Sequence, residues 1–315
     1  MNRLSIFVFC IVITTSLSDV AIAQEFPVLK GDYLGQTPPN DTPKVFARGI
    51  VSDNYQQHGA TRFSPDGNEV FWQTNKRPGP ENKEWISNAK TMKRIGDIWT
   101  EPSLVPYTNA IFSTDGKRLY VGSSKEGDDP YFVEKQGNSW SKPKKVNIVT
   151  NFPEIRFVYF PSIASNGTLY FMGYASGLWI NIGMYRTELK NGEYTKPELL
   201  PSSINLPGNI RNWTPFIAPD ESYLIFCSTR GLPKSDQGDL FICFRLPDSN
   251  WTEPISMGEP INTNQLERFP AVSPDGMYLF FTRDSQEYDE DVYWVSSRII
   301  DKLKAKAILE HRVKQ

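Results

Sequence analysis

The chain has 315 residues, with 34 Lys and Arg against 36 Asp and Glu and a formal net charge of −2. This balance argues against a nucleic-acid-binding surface, which needs Lys and Arg clustered on one face. The apolar fraction of 39% and the charged fraction of 22% are ordinary for a globular protein. The 24 prolines and 21 glycines are spread along the chain, so they punctuate short elements and do not mark a disordered tract.

Residues 1–23 are predicted to be a secretory leader that is cut near Ala23. Arg3 supplies its positive end, residues 4–13 form the apolar core, and small residues precede the cut. The apolar run is shorter than the roughly 20 residues that a membrane-spanning helix needs, so no transmembrane segment is expected. The mature chain is therefore expected to be periplasmic or secreted. Residues 24–43 are predicted to form an extended N-terminal segment.

One sequence unit occurs five times in the rest of the chain. Its clearest copy, residues 268–283, is a short apolar strand, the turn Ser-Pro-Asp-Gly and an aromatic strand. The turn Asp or Asn falls at positions 66, 115, 166, 220 and 275, which gives spacings of 49, 51, 54 and 55 residues. Proline and a residue tolerating positive φ close such turns, and the Asp side chain bonds the local backbone. The predicted turn residues are Asp66, Gly67, Asp115, Gly116, Asn166, Gly167, Asp220, Asp275 and Gly276.

Each unit has four predicted strands. The hairpin supplies two, a third follows it, and a closing strand has the pattern aromatic, Thr or Ser, charge and Pro, as in Trp251-Thr-Glu-Pro254. Proline is tolerated on an edge strand. A four-stranded antiparallel unit of about 50 residues in tandem is typical of a β-propeller blade. We therefore predict an all-β fold of five blades over residues 44–298, with six blades as the alternative.

The last unit has no closing strand after Val295, whereas residues 44–51 form a strand candidate ahead of the first hairpin. We predict that this N-terminal strand completes the last blade and closes the ring, which removes exposed strand edges. Residues 299–315 place apolar residues among Lys and Arg, which predicts a short basic helix or tail. A helix packed on the ring is favoured over a docking handle.

The fourth and fifth units contain a series of short phrases, namely Asp239-Leu-Phe-Ile242, Trp251-Thr-Glu-Pro254, Ile261-Asn-Thr263, Glu267-Arg-Phe-Pro270 and Ser273-Pro-Asp-Gly276. With these phrases the repeats resemble the WD40-like (PD40) repeat of TolB-like propellers. The match is strong across residues 210–298, fair across 55–145 and weakest across 150–200. Three positions depart from the family pattern, namely Asn166, Tyr194 and Glu221. The resemblance implies a propeller that serves outside the cytoplasm as a scaffold for binding proteins, and it carries over no catalytic residue.

No motif identifies a reaction. The chain has only two histidines and lacks Gly-x-Ser-x-Gly and His-Glu-x-x-His, which disfavours a serine hydrolase or a histidine-ligated zinc site. Gly follows Asp directly in the turns, unlike in the sialidase Asp-box. No cofactor or metal is expected. A glycan-active enzyme remains the alternative, because acidic residues in a propeller funnel can hydrolyse glycosides; its candidates are Asp53, Glu154 and Glu267.

Loops that join one blade to the next gather around one mouth of a propeller channel, where ligands meet them. The candidate binding residues in these loops are His58, Arg62, Asn109, Glu154, Arg156, Arg211, Trp213, Glu267 and Arg268. Three of the arginines stand at equivalent places in successive units. They can form a charged ring that grips carboxylates, or each can pair with a neighbouring carboxylate, and we favour pairing.

Two further features each allow two interpretations. The acidic run from Asp284 to Asp291 supplies oxygen ligands of the kind calcium takes, but it lacks EF-hand spacing, so a solvated loop is favoured. Cys227 and Cys243 fall in successive strands of the fourth unit. A disulfide there depends on strand register, because only closely opposed residues come near enough. Two buried thiols are favoured and the disulfide is the alternative.

Together these features predict a secreted or periplasmic, monomeric, non-catalytic scaffold. It would bind an envelope or extracellular protein, or a glycan, at the channel mouth. The glycoside hydrolase-like enzyme is the alternative.

Overall fold

The computed structural model describes residues 26–53, 56–76, 78, 83–84, 86–123, 125–174, 182–208, 210–232, 237–286 and 289–313. The predicted leader lies outside these residues. Within them five larger antiparallel sheets are the five blades of a β-propeller, each with four main strands, and a two-stranded hairpin forms a sixth sheet. The all-β fold and the five blades are therefore confirmed.

The blades follow one another along the chain, with the first main strand of each innermost. Blade one is β2 (Arg62–Phe63), β3 (Glu69–Lys76), β4 (Ile86–Ile95) and β6 (Ser103–Val105), with β5 (Ile98–Trp99) also paired to β4. Blade two is β7 (Ile111–Phe112), β8 (Arg118–Val121), β9 (Tyr131–Gln136) and β11 (Lys144–Lys145), with β10 (Ser139–Trp140) also paired to β9. Blade three is β12 (Tyr159–Ile163), β13 (Leu169–Tyr174), β14 (Ile182–Thr187) and β17 (Glu198–Leu199), beside the hairpin β15 (Leu189–Lys190) and β16 (Glu193–Tyr194).

The last two blades complete the ring. Blade four is β18 (Asn212–Ile217), β19 (Tyr223–Ser228), β20 (Asp239–Phe244) and β21 (Ile255–Ser256). Blade five is β22 (Glu267–Val272), β23 (Tyr278–Gln286), β24 (Asp289–Ser296) and β1 (Lys44–Val45). The helical segments are a 3-10 turn at Asp32–Gly35, α1 (Ile148–Asn151) and α2 (Arg298–Val313).

The outermost strand of a blade differs from its prediction in one respect. The aromatic residue of the closing motif pairs with the end of the third strand, as Trp99 pairs with Arg94 and Trp140 with Lys135. The outer strand starts only after the motif's proline, at Ser103 in blade one. Proline has no N–H to donate to a ladder, so it marks the step between the two pairings.

The N-terminal strand closes the ring, as predicted. Lys44 pairs with Trp294 and Val45 with Tyr293. The next residue, Phe46, has 0% of its surface exposed, and its ring lies 5.1 Å from that of Phe280 and 5.2 Å from that of Trp294. The aromatic cluster therefore joins the first part of the chain to the last blade by apolar packing as well as by strand pairing.

Each pair of neighbouring blades buries apolar side chains between its sheets. The largest cluster spans blades four, five and one and receives Ile300, Leu303 and Ala307 from α2. Smaller clusters join blade one to two, two to three and three to four. This packing leaves two ends of the ring. We call the end with the Ser-x-Asp-Gly hairpins the turn end, and the end with the loops between blades the mouth end.

The turn hairpins use the local bonding expected from their sequence. In blade two, Ser113 Oγ donates to Asp115 Oδ1 at 2.6 Å, and the same oxygen accepts the Lys117 N–H at 3.0 Å. Gly116 has φ of 68°, which costs a glycine little. In blade four Glu221 occupies the glycine position with φ of 58°. The five units therefore share the hydrogen bond from the local backbone to the turn Asp or Asn, and they do not all share a glycine after it.

Candidate functional site

A strained backbone residue lies on the channel wall in four of the five blades. Asn109, Phe160, Thr214 and Phe269 have φ of 54°, 47°, 51° and 54°. A left-handed conformation costs a non-glycine residue about 1–2 kcal/mol. In blades three, four and five it coincides with a register shift in the inner strand. Such irregularities re-aim side chains next to functional sites, so the repeated strain singles out this level of the channel.

A small cavity of about 20 Å³ lies at this level, with room for a water molecule or a small ion. All five blades line it, through Ala60, Arg62, Asn109, Ala110, Ile111, Phe160, Pro161, Thr214, Pro215 and Phe269. The wall is apolar except at Arg62, Asn109 and Thr214. The predicted mouth residues Arg62 and Asn109 are thus brought together in one channel.

Arg62 is the charged residue of this cavity. Its guanidinium lies 5.4 Å from the centre of the Phe216 ring, which belongs to blade four, so the contact crosses the channel. Its Nε is closed off from solvent and has no hydrogen-bond partner. Burial lowers the pKa of Arg62 to about 10, so the side chain is still a cation at neutral pH.

Two other predicted residues, His58 and Arg268, meet a buried carboxylate beside the channel. Arg268 Nε lies 2.5 Å from Glu290 Oε1, and His58 Nδ1 lies 3.8 Å from Glu290 Oε2. Burial alone would raise the pKa of Glu290, but Arg268 and His58 outweigh it and the pKa is lowered. Burial lowers the pKa of His58 despite the attraction of Glu290, so the imidazole is neutral near pH 7.

A wider cavity of about 360 Å³ opens at the mouth end beside the channel. Its wall includes Tyr131 and Tyr159 over Gly122 and Ser123, and it shares Asn109 with the channel cavity. Burial raises the pKa of both tyrosines, so their hydroxyls remain protonated and can donate hydrogen bonds. Tyrosines that are half-buried with a free polar end are common in binding surfaces.

The remaining predicted mouth residues are distributed around the rim. Glu154 is exposed and pairs with Lys196 at 2.9 Å, and that hydrogen bond lowers its pKa. Arg156 pairs with Glu126 at 3.0 Å. Arg211 is exposed and Trp213 is partly buried. The arginines at 156 and 268 therefore pair with carboxylates, which are Glu126 and Glu290.

Glu267 lies in the interior and not on the rim. Its side chain is 0% exposed, and Oε1 lies 2.8 Å from Arg283 Nε. Thr263 Oγ1 donates to the same oxygen at 2.6 Å. Burial raises the pKa of Glu267, and the bonds from Thr263 and Arg283 only partly offset it. Arg283 also donates to the Pro260 and Ile261 carbonyls, so this pair ties β22 and β23 to the loop before them.

The third candidate carboxylate, Asp53, is also engaged by neighbours. Its Oδ2 lies 3.0 Å from Lys90 Nζ, and its Oδ1 accepts from Gln57 Nε2 at 2.9 Å. In the acidic run, Glu287 lies outside the described residues, and Glu290 and Asp291 pair with arginines. Within the described residues no group of three or more His, Cys, Asp or Glu is arranged to hold a metal ion.

Cys227 and Cys243 are buried free thiols. The register pairs Cys227 with Leu240 and Cys243 with Leu224. The two positions are three residues out of register, so their side chains point to opposite faces of blade four. The disulfide alternative is therefore wrong and the favoured interpretation of two thiols holds.

Four residues that shape the cavities were not predicted as site residues from the sequence, namely Tyr131, Tyr159, Phe160 and Phe269. A usable signal exists for two of them, because Phe160 and Phe269 each precede a proline at the same place in the unit. In both blades the residue before this proline has a positive φ and lies on the channel wall. Tyr131 gives no such signal, since its role depends on which loops meet it.

Comparisons with known proteins concern the fold. No family model matches the chain. No curated protein matches it. It is similar to the putative TolB from Agrobacterium tumefaciens, with 17% identity over 75% of this chain and 76% of that chain and a TM-score of 0.46. It is also similar to TolB from Acinetobacter baumannii, with 12% identity, a TM-score of 0.44, and coverage of 74% of this chain and 51% of that chain.

The β-propeller domain of the Trilobed protease from Pyrococcus furiosus is a further match, with 12% identity over 76% of this chain and 68% of that chain and a TM-score of 0.34. TolB-like propellers are thus among the structural neighbours, as the repeats suggest. In the described part of the chain, no helix combines the length and apolar character needed to cross a membrane.

Proposed function

We propose that this chain is a secreted or periplasmic scaffold that binds an envelope or extracellular protein at its mouth end and catalyses no reaction. The observation that carries the proposal is the 360 Å³ cavity beside the channel, walled by Tyr131 and Tyr159. Tyrosine supplies large contact area with a polar end and is enriched where proteins bind partners. The location rests on the leader-like residues 1–23.

The state of the candidate carboxylates supports binding over turnover. A general acid or base must come within hydrogen-bond reach of its substrate. Glu267 is 0% exposed and tied to Arg283, Asp53 is held by Lys90, and Glu154 is held by Lys196. None of the three is a free carboxyl group facing an open cavity.

Affinity capture tests the proposal. The purified mature chain is immobilised and exposed to periplasmic or extracellular extract from the source cells, and captured proteins are quantified. A variant with Tyr131→Ser and Tyr159→Ser should recover a specific partner about tenfold less well, which corresponds to a modest hot-spot loss. A control variant with Lys117→Ser and Lys135→Ser changes two exposed residues at the turn end and should capture as the parent chain does.

Three results would decide against the proposal. Equal capture by both variants would place the partner elsewhere on the ring. Loss of capture after periodate oxidation of the extract would favour a glycan ligand over a protein. Hydrolysis of a glycoside that is abolished by Glu154→Gln or Glu267→Gln would establish the enzyme alternative.

A further inference from the structure

The charge at Arg62 is unusual among the five units. Arg62 stands two residues before the turn serine on the inner strand, and the equivalent residues of the other blades are Ile111, Ser162, Phe216 and Ala271. The cation is therefore unique to blade one at this position. The repeat motif does not need it, because four blades fold with an uncharged residue there.

Arg62 also has no counter-charge. In the ranges that the structure describes, no carboxylate pairs with its guanidinium, and Nε is buried without a hydrogen-bond partner although the residue as a whole is partly exposed. The contact that the guanidinium makes is a cation–π contact with the Phe216 ring. A cation moved from water into an apolar channel is unfavourable unless it is paired. Buried polar groups without a partner are few in folded proteins, and each calls for a specific explanation.

A second polar group in the same cavity also lacks a partner. Asn109 lines the cavity, and its Oδ1 is buried with no hydrogen-bond partner. Its backbone is held in place, because its N–H donates to Gln73 Oε1 at 3.0 Å and its φ is 54°. Rotation of the amide by half a turn would present N–H donors in place of the oxygen. The cavity thus combines one cation with one adaptable amide.

Size and charge indicate the chemistry of the missing partner. The cavity of about 20 Å³ has room for a small ion, and apart from Thr214 its other walls are Phe, Pro, Ala and Ile side chains. A single guanidinium neutralises one negative charge, so a dianion such as phosphate would leave a net charge in the apolar channel. A carboxylate carries one charge, is planar, and matches the guanidinium edge with two parallel hydrogen bonds.

We propose that Arg62 and Asn109 form a binding site for one carboxylate group in the central channel. The group is either a small free carboxylate or the carboxylate of a partner that inserts from the mouth end. The second source rests on the proposed function. Binding of a small free carboxylate does not rest on it, because such an ion can enter the channel without a partner.

Thermal unfolding tests the site with formate and acetate as probes. Each probe replaces chloride at constant ionic strength, and phosphate and chloride serve as comparison anions. In the parent chain the unfolding midpoint should rise with formate or acetate concentration and not with phosphate, because a ligand that binds the folded state stabilises it. In Arg62→Leu the rise should disappear, and without carboxylate this variant should unfold at or above the parent midpoint.

Arg298→Leu is the matched control, because Arg298 is an exposed arginine at the start of α2 and does not line the cavity, and it should keep the full response. Arg62→Gln gives a second test should the leucine variant fail to fold. Line broadening of the formate resonance measures binding directly in the folded state. A midpoint rise that persists in both Arg62 variants, an equal rise with phosphate, or no rise in the parent chain would overturn the site.

The capture experiment identifies the source of the carboxylate. If a partner supplies it, Arg62→Leu should reduce partner capture and formate should compete with the partner. If the ligand is a free anion, capture by Arg62→Leu should equal that of the parent chain while the formate response is lost. Partner capture without any formate response refutes the carboxylate site alone, and a formate response without a partner refutes the scaffold function alone.

Discussion

At the turn end of the ring, the hairpins of blades one, two and five make the same hydrogen bonds. Ser64, Ser113 and Ser273 donate to the turn aspartates at 2.5, 2.6 and 2.6 Å, and each accepts a backbone N–H at 2.9 Å. At the mouth end the five blades present different side chains to one channel. Repetition therefore builds the frame, and the candidate site arises where the units differ.

Even at the turn end, two departures from the repeat compensate for one another. Glu221 replaces the turn glycine of blade four, and its carboxylate accepts from Asn166 Nδ2 at 2.8 Å and from the Tyr170 hydroxyl at 2.5 Å. Asn166 itself replaces the turn aspartate of blade three. Because an amide can donate where a carboxylate cannot, the two substitutions create a bond between neighbouring blades.

The largest expected effect comes from removing the N-terminal segment that closes the ring. Deleting residues 24–52 removes β1, the buried Phe46 ring and the Tyr33 contacts with Phe63 and Tyr278. It exposes a strand edge and opens the aromatic cluster, so the truncated chain should aggregate or unfold without cooperativity. Size-exclusion chromatography and circular dichroism melting measure this. A monomer that melts as the full mature chain does would show that closure contributes nothing.

Substitutions of Glu267 and Glu154 should differ in their effect on stability, because Glu267 lies in the interior and Glu154 lies on the rim of the mouth end. Glu267→Ala leaves Arg283 without its buried partner, and breaking such a pair costs about 3–5 kcal/mol of unfolding free energy. Glu154→Ala removes an exposed pair with Lys196, which solvent screens, and should change the unfolding free energy very little. Urea unfolding measures both. Equal losses would contradict the distinction between them.

The same contrast explains how much could be read from the sequence. The turn motif recurs because its bonds are local, so its spacing revealed five blades and the closing strand. The site depends on contacts between distant units, such as Arg62 with Phe216 and Arg268 with Glu290. The sequence placed Arg62 and Asn109 at the mouth, but it could not assign partners or burial. Glu267 and Glu154 were equivalent candidates in the sequence, and the packing of β22 against β23 buries only one of them.

At the turn end, substitutions in a single hairpin should lower the unfolding free energy modestly, and the hairpins of the other blades indicate which substitution is tolerated. Asp115→Ala removes the bonds from Ser113 and the Lys117 N–H and should cost about 1 kcal/mol. Asp115→Asn should stay closer to the parent chain, because in blade three Asn166 Oδ1 accepts the Thr168 N–H at 2.9 Å in the same turn. Thermal unfolding of the two variants checks the order. An Asn variant that is as unstable as the Ala variant would show that charge, and not turn geometry, matters there.

The smallest expected effect is a pH dependence at the mouth end, and it comes from His58. Burial lowers the pKa of this imidazole in the folded chain below its unfolded value of about 6.5. Between the two pKa values the unfolded chain binds more protons, so stability rises with pH and is lost as pH falls through that window. One proton limits the slope to about 1.4 kcal/mol per pH unit. Urea unfolding between neutral and mildly acidic pH should therefore show a shallower decline in His58→Gln than in the parent chain.

His311→Gln, on α2, leaves the cluster of His58, Glu290 and Arg268 intact and should keep the parent slope. A His58→Gln variant with the parent slope would mean that the decline comes from other groups.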